Sequence, residues 1–245
     1  MRQFSRYLVT CLLLGATMAA VAQQSLSSEK ERRLRDAITA RTKGTVAIDA
    51  ITTTPVPGLY AVASDGEVFY TDESGRYSFV NGALIDMQDQ RDLTTPLVDK
   101  MHAIPFSALP LKLAMKEVHG KGTRTMAIFE DPNCPICRVF TKFLDQVDDV
   151  TIYRFMYPVI DPKSEALARN AWCAADRPKA WKDIMNGFRP SQDGTCDVSG
   201  LSAILRFGEK YRIQNTPTVV LANGKRLVGA TPPEQFLADL DAGGR

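Results

Sequence analysis

Met126-Ala127-Ile128-Phe129-Glu130-Asp131-Pro132-Asn133-Cys134-Pro135-Ile136-Cys137-Arg138-Val139-Phe140 is the stretch that decides the fold. An apolar run, Met126 to Phe129, reads as a strand. After Cys137 the residues Val139, Phe140, Phe143, Leu144 and Val147 recur at helical spacing, so the two cysteines open an amphipathic helix. Pro135 suits the first helical turn, where its missing N–H would have no partner anyway. Two thiols at this spacing can close a small, easily opened disulfide. Cys134 falls where helix-terminal amides and the macrodipole favour a thiolate.

Working outward, the N-terminus carries Arg2 and Arg6, then an uncharged run from Leu8 to Ala22, then a small-x-small exit at Ala20-Val21-Ala22. That order describes a secretory signal peptide spanning 1–22, cut after Ala22. The run is shorter than the roughly 20 residues a membrane-spanning helix needs. Cleavage removes two of the 30 basic residues, which leaves them balanced against 28 acidic ones. Such a neutral chain has no electrostatic pull toward nucleic acid or an anionic membrane. Of the five cysteines, Cys11 leaves with the signal, and Cys134, Cys137, Cys173 and Cys196 remain. An even count in an exported protein points to disulfides, and four cysteines allow three connectivities.

Residues 23–88 read as a small α+β domain. Ser28-Glu29-Lys30-Glu31 has the pattern of a capping box before a helix that ends at Gly44. Strand-like runs follow at 45–51, 59–63, 67–71 and 77–80, with turns at Asp65-Gly66 and Ser74-Gly75. A core this thin is often stabilised by a second copy of itself, so a dimerisation domain is expected. Residues 89–119 read as a connector that closes in a linker helix over Leu109 to His119. Residues 120–245 then run strand, CPIC helix, strand (151–157), a helical region (164–207), strand (218–222), an Asn223-Gly224 turn, a short strand (225–228) and a final helix begun by Pro232-Pro233. That order is the α/β thioredoxin plan with a helical insertion.

Thr216-Pro217-Thr218 lies at the mouth of the apolar run Val219-Val220-Leu221. In a thioredoxin-like order this X-Pro turn faces the CxxC helix start with a cis peptide bond, and it presents the Thr216 backbone to an extended substrate chain. A CxxC pair also serves zinc sites. A four-cysteine zinc site calls for a second CxxC, however, and Cys173 and Cys196 lie too far apart in sequence to supply one, so no metal is assigned. His102 and His119 are the only histidines and stand away from the cysteines in sequence, which argues against a Cys-His hydrolase. Asp131 reads either as a loop aspartate or as a group that tunes thiol proton transfer.

These residues resemble the periplasmic protein-disulfide isomerases of the DsbC/DsbG family. The resemblance spans essentially the whole mature chain and rests on Phe129 to Cys137, on Ala171-Trp172-Cys173-Ala174 with Cys196-Asp197-Val198, and on Asn215 to Gly224. It implies a periplasmic homodimer joined through the N-terminal domains, its two catalytic domains facing a cleft that holds misfolded, disulfide-containing exported proteins. It also implies a membrane thiol reductase of the DsbD type and no cofactor. Catalysis falls to Cys134 and Cys137, substrate binding to Thr216 and Pro217, and a structural disulfide to Cys173 and Cys196. Thr216 before the proline is similar to the isomerase branch. Pro135-Ile136 differs both from the Gly-Tyr usual in DsbC-like and from the Pro-Tyr usual in DsbG-like proteins. The reading is therefore a thiol:disulfide isomerase or reductase, beside two alternatives: a DsbG-like chaperone and specialised reductase, or a dithiol oxidase.

Overall fold

The structure is a computed structural model that describes residues 26–190 and 194–245; the expected signal peptide lies outside them. No helix among the described residues is long and apolar enough to cross a membrane. The chain divides into two compact units, one ending at Gly82 and one beginning at Ala83.

In the first unit α1 (Ser28–Arg41) is capped by Ser27, whose hydroxyl accepts from the Lys30 N–H at 3.3 Å. The cap thus falls one residue before the expected Ser28. Glu29 and Glu31 still occupy the first turn, where the helix dipole favours negative charge. Leu34 and Ile38, one turn apart, are the buried positions and pack with Ile51, Tyr60 and Val62. These last three lie on an antiparallel sheet of β1 (Ala50–Thr53), β2 (Leu59–Ser64), β3 (Glu67–Asp72) and β4 (Ser78–Phe79), paired in that order. Asp65 and Gly66 both take positive φ, 50° and 88°, as a two-residue hairpin turn between right-twisted strands requires. A Cβ on Gly75 would stand 3.2 Å from both Ile38 and Leu34 at a φ of 65°, so only glycine lets this turn approach the helix.

The second unit opens with a short ribbon, β5 (Ile85–Asp86) and β6 (Arg91–Asp92), then α2 (Thr95–His102) and two single turns of 3₁₀-helix. The linker helix expected over Leu109–His119 does not form. Pro105 and Pro110 precede the two 3₁₀ turns, and Met115–His119 is instead a strand, β7. Its burial alternates with period two, Met115 inward and Lys116 outward, because tertiary pairing overrides the helical leaning of the local sequence.

Next come β8 (Arg124–Glu130), α3 (Pro135–Leu144), β9 (Val150–Met156), α4 (Pro162–Cys173), α5 (Arg177–Met185), α6 (Ser199–Lys210), β10 (Thr218–Leu221), β11 (Arg226–Val228) and α7 (Pro233–Gly243). The sheet runs β11-β10-β8-β9-β7, parallel only between β8 and β9. Helices cover both faces, so its central strands β8, β9 and β10 are mostly buried, Glu130 and Arg154 included. Met126 and Ile128 pack with Phe140, Leu144, Phe236 and Leu240 of α3 and α7. Ala127 and Phe129 pack with α4 and α6 residues such as Ala171 and Ile204. The single helical region expected over 164–207 is three helices, α4 to α6, inserted between β9 and β10. Cys173, the last residue of α4, is bonded to Cys196 before α6. With a sequence separation of 23, closing this loop stabilises by about 3 kcal/mol on the chain-entropy account.

Candidate active site

Cys134 is the N-cap of α3, with Pro135 at its first helical position. Its sulfur accepts a hydrogen bond from the Cys137 N–H at 3.2 Å and donates one to the Thr216 carbonyl at 3.3 Å. The Thr216–Pro217 peptide is cis. The loop before β10 and the start of α3 thus meet at one sulfur, although 82 residues separate them in sequence. Both cysteines are free thiols, 3% and 0% exposed. Ile136 and Val139, by contrast, stand exposed on the first turns of the same helix.

Burial pushes the Cys137 thiol far above the ordinary thiol range. The Glu130 carboxylate and Cys134 act in the same direction, and a hydrogen bond with the Asp131 backbone opposes them only in part. Two consequences can be measured. Iodoacetamide at pH 8 modifies Cys134 of the reduced protein and leaves Cys137 intact, as peptide mapping reads. The folded state also keeps a Cys137 proton that an unfolded chain releases above about pH 8.5, so each further pH unit destabilises the fold by up to about 1.4 kcal/mol. Urea midpoints of the reduced protein therefore fall more steeply between pH 8 and pH 10 than those of Cys137→Ala.

Two buried carboxylates lie behind the dithiol. Asp131 Oδ1 accepts from the Asn133 N–H at 2.7 Å and the Ser164 hydroxyl at 2.7 Å; Oδ2 accepts from the N–H groups of Val159 at 2.7 Å and Ile160 at 2.9 Å. The Asn133 bond closes the loop before α3 on itself, and the other three tie that loop to the β9–α4 connection and the first turn of α4. Asp131 therefore anchors the loop that carries Cys134. Glu130, one residue earlier, accepts from Thr141 Oγ1 at 2.7 Å, Arg154 Nη1 at 2.9 Å and Trp181 Nε1 at 3.3 Å. Arg154 Nε reaches on to Glu117 of β7 at 2.9 Å. Burial by itself would lower the Arg154 pKa, but the charges of Glu130 and Glu117 outweigh it and raise the value, so the guanidinium stays protonated.

Sequence reasoning missed Glu117, Glu130 and Arg154. The available signal was an arginine inside the otherwise apolar strand run Ile152-Tyr153-Arg154-Phe155-Met156. His119, the last residue of β7, has its Nδ1 2.9 Å from the Val147 carbonyl. Among the described residues no group of His, Cys, Asp or Glu is placed to hold a metal ion.

A thioredoxin-like sheet with a CxxC pair at a helix start, meeting a cis X-Pro turn, defines the class: a thiol-disulfide oxidoreductase. The sequence comparisons narrow it. Residues 111–244 match the thioredoxin-like domain family, and residues 18–95 match the N-terminal domain of disulfide bond isomerase proteins. The chain is 38% identical over 194 residues to the probable thiol:disulfide interchange protein DsbC of Bordetella pertussis, covering 79% of this chain and 68% of the relative. It is 26% identical over 197 residues to the thiol:disulfide interchange protein DsbC of Escherichia coli K12, covering 76% and 78%. The crystal structure of a disulfide interchange protein from Neisseria gonorrhoeae superimposes with a TM-score of 0.52 at 34% identity, over 56% of this chain and 99% of that one. This chain belongs to the DsbC family of thiol:disulfide interchange proteins.

Proposed function

We propose that the protein isomerises incorrect disulfides in exported proteins, with Cys134 as nucleophile and Cys137 as the resolving thiol. The observation that carries this reading is the asymmetry of the pair. Cys134 takes a backbone N–H at a helix start, while Cys137 is sealed in a site that holds its proton tightly.

The Cys134 thiolate attacks a substrate disulfide. A Cys134–substrate disulfide forms, and the other substrate sulfur leaves as a thiolate. A substrate thiolate then attacks the substrate sulfur of that mixed disulfide, expelling the Cys134 thiolate with no net transfer of electrons. The competing exit requires Cys137 to lose its proton and attack the Cys134 sulfur, which releases reduced substrate and leaves the protein oxidised. A tightly held Cys137 proton slows that exit and lengthens the time available for reshuffling. Each such exit consumes two electrons, which a membrane thiol reductase of the DsbD type would restore. Thr216 and Pro217 hold the substrate backbone beside Cys134. Cys173 and Cys196 serve as a staple.

The proposal places the protein in the periplasm as a homodimer joined through residues 23–88. The exposed edge at Tyr77, Phe79 and Val80 of the first unit supports such pairing. Reshuffling needs a cleft that retains substrate between exchanges, whereas reduction needs one encounter. The test is a fragment beginning at Ala83, because a cut as far as residue 118 would strip most of β7 from the sheet. It should be monomeric in sedimentation, reduce insulin, and lose most of the full-length protein's activity on scrambled ribonuclease. A full-length monomer, or a fragment that reshuffles as well as the intact chain, overturns the dimeric isomerase.

A further inference from the structure

A cavity of about 370 Å³ lies against the same turn, bordered by Asn215 and Thr218 on one side and by Val98, Asp99, Arg212 and Arg226 on others. Its most informative residue is Arg226. Nη1 donates to the Arg212 carbonyl at 3.2 Å and Nη2 to the Tyr211 carbonyl, both just past the end of α6. Nε is buried and has no partner. No described ion pair includes Arg226, and burial lowers its pKa without a carboxylate to offset the effect. Asp99 shares the cavity, but the Lys225 ammonium lies 3.5 Å from its carboxylate. A guanidinium partly withdrawn from water and lacking a counter-charge favours an anion.

The position of the cavity says which anion. Cys134 Sγ touches the Thr216 carbonyl, and Asn215 and Thr218 lie one and two residues from that point. An extended substrate advances about 3.3 Å per residue. A side chain two or three residues from the exchanging cysteine therefore comes level with the cavity.

We propose that this cavity is a subsite for an acidic side chain, Asp or Glu, of the substrate polypeptide, with Arg226 as its principal charge. The inference rests on the exchange reaction proposed above. It is tested with capped heptapeptides whose single cysteine carries a mercaptoethanol disulfide, and with the reduced full-length protein. Glu or Gln is placed in turn at each position within three residues of the cysteine, and the readout is the Glu/Gln ratio of kcat/KM. Both peptides meet the same protein sample, so the ratio is insensitive to any loss of folded protein. One position should favour Glu by about fivefold or more, roughly 1 kcal/mol. Arg226→Gln should bring that ratio close to one, and Arg226→Lys should keep an intermediate value. Val98→Glu, which puts a competing carboxylate at the cavity while leaving the α6 end untouched, should abolish the preference as well. A wild-type ratio near one at every position, or a preference that survives Arg226→Gln or Val98→Glu, overturns the subsite while leaving exchange intact. If no peptide of either kind is released, the exchange reaction falls and the subsite with it.

Discussion

Cys134→Ala should yield a folded protein whose insulin reduction and ribonuclease reshuffling both fall by at least about a thousandfold, in line with removal of a covalent nucleophile. No other described thiol can replace it, since Cys137 is fully buried and Cys173 and Cys196 are bonded to each other. Cys137→Ala should behave differently. Attack by Cys134 proceeds, but resolution then depends on substrate thiols, so mixed disulfides accumulate and can be identified by mass spectrometry. Retention of a tenth of the activity in Cys134→Ala, or trapping of substrate through Cys137 instead, would reverse the assigned roles.

Arg154→Met should be the most damaging substitution for stability. Arg154 and Glu130 have side chains 2% and 0% exposed, and the arginine is the only cation paired with that carboxylate among the described residues. Its removal leaves a buried charge uncompensated, at a cost of about 3–5 kcal/mol. For a unit of this size that corresponds to a melting temperature lower by roughly 6–20 °C. Trp172 and Trp181 both lie in this unit, so urea unfolding followed by tryptophan fluorescence reads it directly. Removing both charges, as Glu130→Met with Arg154→Met, should recover most of the loss, because an apolar pair of similar volume fills the site without burying a charge. Equal loss in the single and double variants would show that packing around the site, rather than the ion pair, sets the cost.

The CPIC helix start, the Asp65-Gly66 turn, the strand after Pro217 and the thioredoxin order were legible in the sequence because each depends on neighbours along the chain. Proline at a first helical turn, two positive φ angles between strands, and apolar runs of fixed period act locally, and no distant residue has to be known. The pairing of Thr216 with Cys134 was also within reach, but only through the fold that the element order implies. Other features were decided in three dimensions. Met115 to His119 became a strand because β9 offered it an edge, and Glu117 then met Arg154 across that pairing. Asp131 proved to be an anchor because four donors from two separate segments converge on it. Glu130 and Arg226 carry no local signature of their surroundings, and the apolar run around Arg154 signals its burial but not its partners. Their charges acquire meaning only from what lies around them, since the cost of a charge depends on its distance from water and from its counter-charge, and the tertiary fold alone sets both.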